Sequence, residues 1–289
     1  MIKAKIFGWR SKPLDVVSRI EEGLLNNNVV LTDDEPNLIY KNEDFFDEAI
    51  RFKEKCSNKP FTIFNILDLQ IRNPNYDLNK LKKELNCADI VTCISHSVKN
   101  QIKEYLNIDA EVIYNPVKDI SIKQLKRTIP FLYVGRANDL NKRFSLIRET
   151  LFEFSGQNGL VVCGSENPNF GTYVGIVDDE TLNDFYNAAK FVLLPSKFEG
   201  IGLSMIEGMM AGAIPITCND NPTAIEFSPK EFICNPNPQS ILDKMMEIHK
   251  DYKYFQNIAI EYGKKYSEMM NKNQIAKNII NIYNRYNAN

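Results

Sequence analysis

The 289-residue chain predicts an α/β protein built on two parallel sheets. Three observations carry that expectation. Short apolar runs alternate with helix-period segments almost throughout, the pattern of parallel strands joined by crossover helices. The rhythm breaks over YNPVKDISIKQLKRTIP (114–130), where Pro116 and several charges read as an interdomain linker. It restarts at once with a strong strand, FLYVG, and the total length suits about two domains.

In the first part, strands are expected at 3–7, 37–40, 61–67, 89–94 and 111–114. Between the last two, Val98, Ile102 and Tyr105 recur at helical spacing, with Ser95 or Ser97 able to cap. In the second part, strands are expected at 131–135, 160–163 and 173–177, then over FVLLP and AIPITC. A helix before FVLLP puts Leu182, Phe185, Tyr186 and Ala189 on one face. Late helices carry the stripes Ile241, Met245, Ile248 and Ile275, Ile279, Ile282. Methionines in these segments read as core filling.

Apolar residues make up 44% and charged residues 25%, the balance of a soluble globular protein. A net charge of −2 gives no global electrostatic reason to bind nucleic acid. No apolar run is long enough to span a membrane, and MIKAKIFGWR reads as a first strand rather than a signal peptide. A cytoplasmic protein, of a bacterium or a phage-infected host, is expected. The six cysteines (56, 87, 93, 163, 218, 234) lack CxxC spacing, and there are only two histidines. Buried, reduced thiols are therefore expected rather than a zinc site. Asn, Lys and Ile are frequent, as an AT-rich genome would make them.

The most informative stretch is PSKFEGIGLSMIEGMMAGAIP (195–215). Glu199 and Glu207 bracket a glycine loop, Gly200-Ile201-Gly202, that leads into a short helix beginning at Leu203 and Ser204. A helix N-terminus offers unpaired N–H groups and partial positive charge to phosphates. Carboxylates accept hydrogen bonds from hydroxyls. Together they suit a ligand with both a diphosphate and sugar hydroxyls.

The second half resembles the retaining, sugar-nucleotide-dependent glycosyltransferases of family 4, typified by sucrose and glycogen synthases and bacterial mannosyltransferases. The matching pieces occur in family order: Val134-Gly135-Arg136 with Lys142 behind it, the Gly164 turn, YVGIVDDETLNDFYNAAKFVLLPS, then the glutamate pair with Ala211-Gly212 and Pro215. The resemblance covers about residues 85–230, with ADIVTCIS and VIYNPV matching the end of the family's first domain. It implies a GT-B fold, two Rossmann-like domains facing across a cleft. They would be an unusually small acceptor-side domain at 1–120, a nucleotide-sugar domain at 121–265, and a C-terminal helix at 266–289 packing back on the first.

The resemblance also implies roles. Arg136 and Lys142 would stabilise charge on the departing diphosphate, with the backbone around Gly135, Gly164, Gly200, Ile201, Gly202, Leu203 and Ser204 close to the donor. Glu207 would hold the ribose and Glu199 the donor sugar. Arg143 follows Lys142 where the family commonly has glycine, so either could be the second phosphate ligand. The plainer readings are solvated loop charges for Arg136 and Lys142, an exposed helix carboxylate for Glu207, and a first-turn dipole partner for Glu199.

The donor implied is a nucleoside-diphosphate sugar, UDP most commonly. No Asp-x-Asp motif is present, and the DDE runs at 33–35 and 178–180 read as turn or cap residues, so no obligatory metal is expected. The front-face attack with retained configuration that the resemblance implies would require no dedicated general base. On the acceptor side, the glycine loop after the first strand is reduced to Gly8-Trp9-Arg10, and a histidine common in the family is replaced within FNILDL, which ends at Asp68-Leu69. Trp9, Arg10, Asp68 and His96 are the acceptor-side candidates; for Trp9 stacking and packing stand equally, and His96 has a structural alternative. The SHS, YNPV and VGR segments are similar to bacteriophage DNA α-glucosyltransferases, which makes a hydroxymethylated base one possible acceptor beside glycan, lipid or protein. A non-catalytic nucleotide-sugar binder or an epimerase on the same architecture are the alternatives.

Overall fold

Ala4 and Ile6 alternate inward along the first strand, β1 (Lys3–Phe7), and the helix α1 (Val16–Asn26) buries Val17, Ile20 and Leu24 at helical spacing. The computed structural model describes residues 1–8, 16–42, 46–69, 76–154 and 159–287. The chain divides into two units, Met1–Pro116 with Met269–Asn289, and Val117–Glu268. Trp9 and Arg10 lie outside the described residues.

In the first unit, α1 is followed by β2 (Val30–Leu31), β3 (Leu38–Asn42), α2 (Phe46–Lys55) and β4 (Phe61–Ile66). Next come α3 (Leu78–Leu85), β5 (Ile90–Cys93), α4 (His96–Gln101) and β6 (Glu111–Val112). All five strand pairings are parallel, in the order β2-β1-β3-β4-β5-β6. Every residue of β3 and β5 is buried, as expected of a parallel sheet covered on both faces. The two-residue β2 is a strand that periodicity could not reveal, and the expected strand at 111–114 is pared to two residues.

Ser95 caps α4 by accepting from the Val98 N–H. A π turn over Ile102–Leu106 then adds a residue to the repeat. The buried face becomes Val98, Ile102 and Leu106, and Tyr105, expected on it, is turned out to 46% exposure.

The second unit begins with β7 (Ile129–Val134), α5 (Phe144–Phe154), β8 (Leu160–Cys163), β9 (Thr172–Gly175) and α6 (Asp179–Ala188). It continues with β10 (Ala189–Leu194), α7 (Leu203–Met210), β11 (Ile214–Cys218), α8 (Pro222–Phe227) and β12 (Ile233–Cys234). The helices α9 (Pro238–Lys250) and α10 (Tyr252–Met269) follow. Again every pairing is parallel, in the order β12-β11-β10-β7-β8-β9. Leu132, Val192, Leu182 and Tyr186 share a buried cluster, the last two from the face of α6 that the sequence marks.

The last helix, α11 (Lys272–Asn287), returns to the first unit. Ile275, Ile279 and Ile282 join Ile20, Leu24 and Ile63 in one core. The segment before β7 carries no helix or strand, yet it is no free tether. Lys118 pairs with Asp179, Lys123 with Asp184, and Asn187 Nδ2 donates to the Ser121 carbonyl at 2.9 Å. Its charges fasten it along α6.

Chain order reverses direction across the second sheet between β7 and β10. From β7 the chain builds β8 and β9 on one side, then crosses to β10 on the other. A crevice opens beyond the carboxyl ends at such a switch point, where ligands of open α/β sheets bind. The first sheet has its own switch between β1 and β3.

Candidate functional site

Residues from three strand ends meet at the second unit's switch point. Val134 ends β7, and Gly135 and Arg136 follow it. Gly164 follows β8, and a Cβ there would lie 2.0 Å from the Gly135 carbonyl oxygen. Only glycine permits the two turns to approach so closely.

Arg136 points into solvent with 67% of its side chain exposed, ion-paired to Asp139 at 2.8 Å. Asp139 caps a short 3₁₀ turn, Leu140–Lys142, by accepting from the Asn141 N–H at 3.0 Å. That turn delivers Lys142, whose Nζ meets Glu199 Oε1 at 2.6 Å. Both side chains are largely enclosed, 18% and 12% exposed, so the pair is firmer than an ordinary surface contact. Lys142 and Glu199, which lie 57 residues apart in the chain, are thus direct partners.

The loop holding Glu199 is tied down from several sides. Asn141 Nδ2 donates to the Phe198 carbonyl at 2.7 Å, and the Lys197 N–H donates to the Asn141 carbonyl at 2.9 Å. Thr223 Oγ1 donates to the Glu199 carbonyl. Gly200 is half-buried and Ile201 is buried at 3% exposure, anchoring the loop from below.

Gly202 is the N-cap of α7 and takes a left-handed backbone, φ 77°, that a side chain would strain. No side chain among the described residues caps this helix, and by helix geometry the leading amides of Leu203 and Ser204 have no partner within it; that of Met205 reaches the Gly202 carbonyl at 3.0 Å. Glu207, one turn on, is only 4% exposed, which removes the exposed-carboxylate reading. Its Oε2 accepts from the Tyr186 hydroxyl at 3.0 Å. Burial and the Glu207 charge together push the Tyr186 hydroxyl well above its ordinary range, so it stays a proton donor.

Arg143 differs from its neighbours. Its backbone is left-handed, φ 49° and ψ 43°, a conformation that costs a side-chain-bearing residue about 1–2 kcal/mol. Its guanidinium forks onto Asp220 at 2.8 and 2.7 Å, and its Nε donates to the Pro195 carbonyl at 2.7 Å. That fork holds the Asp220 carboxyl below the ordinary carboxylate range.

The described acceptor-side candidates, Asp68 and His96, lie at strand ends of the first unit. Asp68 follows β4 and is half-buried; His96 is exposed at the first position of α4, after β5. Beside them Asn65 Nδ2 donates to Asn42 at 2.8 Å and Thr92 donates to Asn65 at 2.9 Å, a buried polar ladder across β3, β4 and β5. Among the described residues no group of three His, Cys, Asp or Glu is placed to hold a metal ion. Asp178 caps α6 and Glu35 accepts from the Ser57 and Asn58 N–H groups, so both acidic runs supply cap and turn residues. All six cysteines are free; Cys87 is exposed, against the expectation of burial, because it sits in the turn after α3.

Sequence reasoning missed Asp139, Asn141, Asp220 and Thr223, the polar partners that orient the candidates. It also read Tyr186 as plain core. A buried tyrosine hydroxyl needs a partner, and that signal was available.

Residues 158–266 match the model of the family glycosyl transferases group 1. An uncharacterized glycosyltransferase of Methanocaldococcus jannaschii is 27% identical over 115 residues, 38% of this chain and 29% of that protein. The chain thus matches less than a third of that relative's length. A protein of Sulfolobus islandicus filamentous virus, provisionally named glycosyltransferase 41, is 25% identical over 243 residues and 71% of each chain. Among solved structures, sucrose-phosphate synthase from Thermosynechococcus elongatus superposes with a TM-score of 0.80 at 14% identity, covering all of both chains. Anabaena HepE in complex with UDP-glucose gives 0.77 at 12% identity, over 99% of this chain and 100% of that one. No helix among the described residues is long and apolar enough to cross a membrane. The protein has the GT-B glycosyltransferase fold, and over residues 158–266 it carries the family match to glycosyl transferases group 1.

Proposed function

We propose that this protein is a glycosyltransferase that moves a sugar from a nucleoside-diphosphate donor to an acceptor hydroxyl, with retention at the anomeric carbon. The observation that carries the reading is the 2.6 Å Lys142–Glu199 contact at the switch point, beside the uncapped start of α7. Cleavage of a sugar–diphosphate bond builds negative charge on the departing phosphate. Lys142, Arg136 and the Leu203 and Ser204 amides meet that charge, and they stabilise it more as it grows. Glu207 takes the ribose hydroxyls, with Tyr186 fixing its carboxylate. Glu199 accepts from hydroxyls of the donor sugar.

UDP is the first candidate nucleotide, since HepE has been solved with UDP-glucose. Because side-chain cations and helix amides neutralise the diphosphate, the reaction proceeds without a metal, and chelation with EDTA is expected to leave the rate unchanged. The second unit binds donor; the first supplies acceptor contacts, with Asp68 and His96 the described candidates. The acceptor class stays open between a glycan, lipid or protein hydroxyl and a hydroxymethylated base.

Thermal-shift screening with UDP-, GDP- and ADP-sugars tests the donor role. One of the three should raise the melting midpoint, because a ligand that binds only the folded state stabilises it. No shift with any of them contradicts the reading. Product analysis without acceptor separates transfer from epimerisation.

A further inference from the structure

Arginine in a left-handed backbone is uncommon, and at position 143 the side chain shows what it gains. The side chain is 17% exposed, and its guanidinium makes three defined hydrogen bonds, two to Asp220 and one to the Pro195 carbonyl. Those bonds join three segments: the 3₁₀ turn that delivers Lys142, the end of β10 that leads to Glu199, and the end of β11. Asp220 also precedes α8, whose Thr223 donates to the Glu199 carbonyl. Lys142 and Glu199 are therefore held by one fork that neither belongs to.

On the reading of this site as a donor site, we infer that Arg143 and Asp220 form a positioning clamp that holds Lys142 and Glu199 in register, and that Arg143 itself makes no contact with the diphosphate. An arginine fork is planar and its donors are fixed, so it sets distances that a flexible ammonium does not. Untying the fork leaves two loops to be ordered when the donor binds, which lowers affinity without removing a ligand.

Three variants and one double variant test this. Arg143→Gly removes the fork and the backbone strain together, so the fold is retained. Asp220→Asn keeps the turn and removes the charge. Hydrogen exchange of the free protein needs no ligand: the clamp predicts faster exchange at 139–143 and 195–202 in each, above all at the Lys197 amide that donates to Asn141. Unchanged exchange at 195–202 overturns the clamp. Binding of UDP, GDP and ADP is the second readout. Each single variant should lose about tenfold in affinity, roughly 1.4 kcal/mol, with no further loss in the double variant.

Arg143→Lys separates the two roles. A phosphate ligand would be rescued by lysine, whereas a clamp is not, because an ammonium cannot span both acceptors. Rescue by lysine, or a loss confined to Arg143 variants with Asp220→Asn unaffected, overturns the inference. Faster exchange in the variants with no wild-type affinity for any of the three nucleotides keeps the tether and overturns the donor reading.

Discussion

Arg136, Lys142 and Arg143 are three cations close in sequence, and what separates them is the partner each already holds. The Arg136–Asp139 pair is exposed, worth about 0–1 kcal/mol, and yields easily to an incoming phosphate. Lys142 is enclosed with Glu199 and stays in place. Arg143 is committed to Asp220. Arg136→Ala is therefore expected to lower kcat/KM about a hundredfold, close to 2.7 kcal/mol of transition-state stabilisation, with little change in melting midpoint. Glu207→Gln keeps an acceptor for Tyr186 and removes the charge, so nucleotide affinity should fall about tenfold while the fold persists. Equal affinity for wild type and this variant, measured by calorimetric titration, would contradict the proposed role of Glu207 as a ribose ligand. The pH dependence follows from Asp220. Its folded pKa lies below its unfolded one, so its contribution is complete above the unfolded value near 3.8 and is lost as pH falls through the lower folded value. The melting midpoint of Asp220→Asn should show less acid sensitivity than wild type in that window.

Helix starts and strand ends are the elements that build the site. Gly164 must stay glycine because the turns after β7 and β8 touch; Gly164→Ala should cost about 1–3 kcal/mol in denaturant unfolding through overpacking. Ser95 is a buried N-cap, and Ser95→Ala should cost about 1 kcal/mol by the same measurement. Most long elements were legible from periodicity: β1, β8 and the stripe of α11 lie where the pattern places them. The two-residue edges β2 and β12 were not, since so short a run has no period to detect. The π turn after α4 was also hidden, because one inserted residue moves a helical face without changing composition. At the candidate site, the Lys142–Glu199 contact and the close approach of Gly135 and Gly164 join positions that the sequence singles out, whereas Asp220, Asn141 and Thr223 were not legible. Their role is to bond backbone across loops, and such pairings depend on tertiary proximity that spacing does not encode.

Two parallel sheets, each with its own switch point, are the frame of the whole molecule. The second carries the charged residues and the uncapped helix; the first carries a polar ladder at its strand ends. The net charge of −2 offers no global attraction to a polyanion, so affinity for unmodified duplex DNA should be weak and should fall steeply as salt rises. Tight, salt-insensitive duplex binding would require a recognition surface beyond charge.

Calorimetric titration of UDP, GDP and ADP into wild type and into Lys142→Ala tests the central claim most directly. One nucleotide should bind wild type and lose at least about tenfold in affinity when the lysine is removed. Binding of none, or binding indifferent to Lys142, would contradict a donor diphosphate at the β7–β10 switch point.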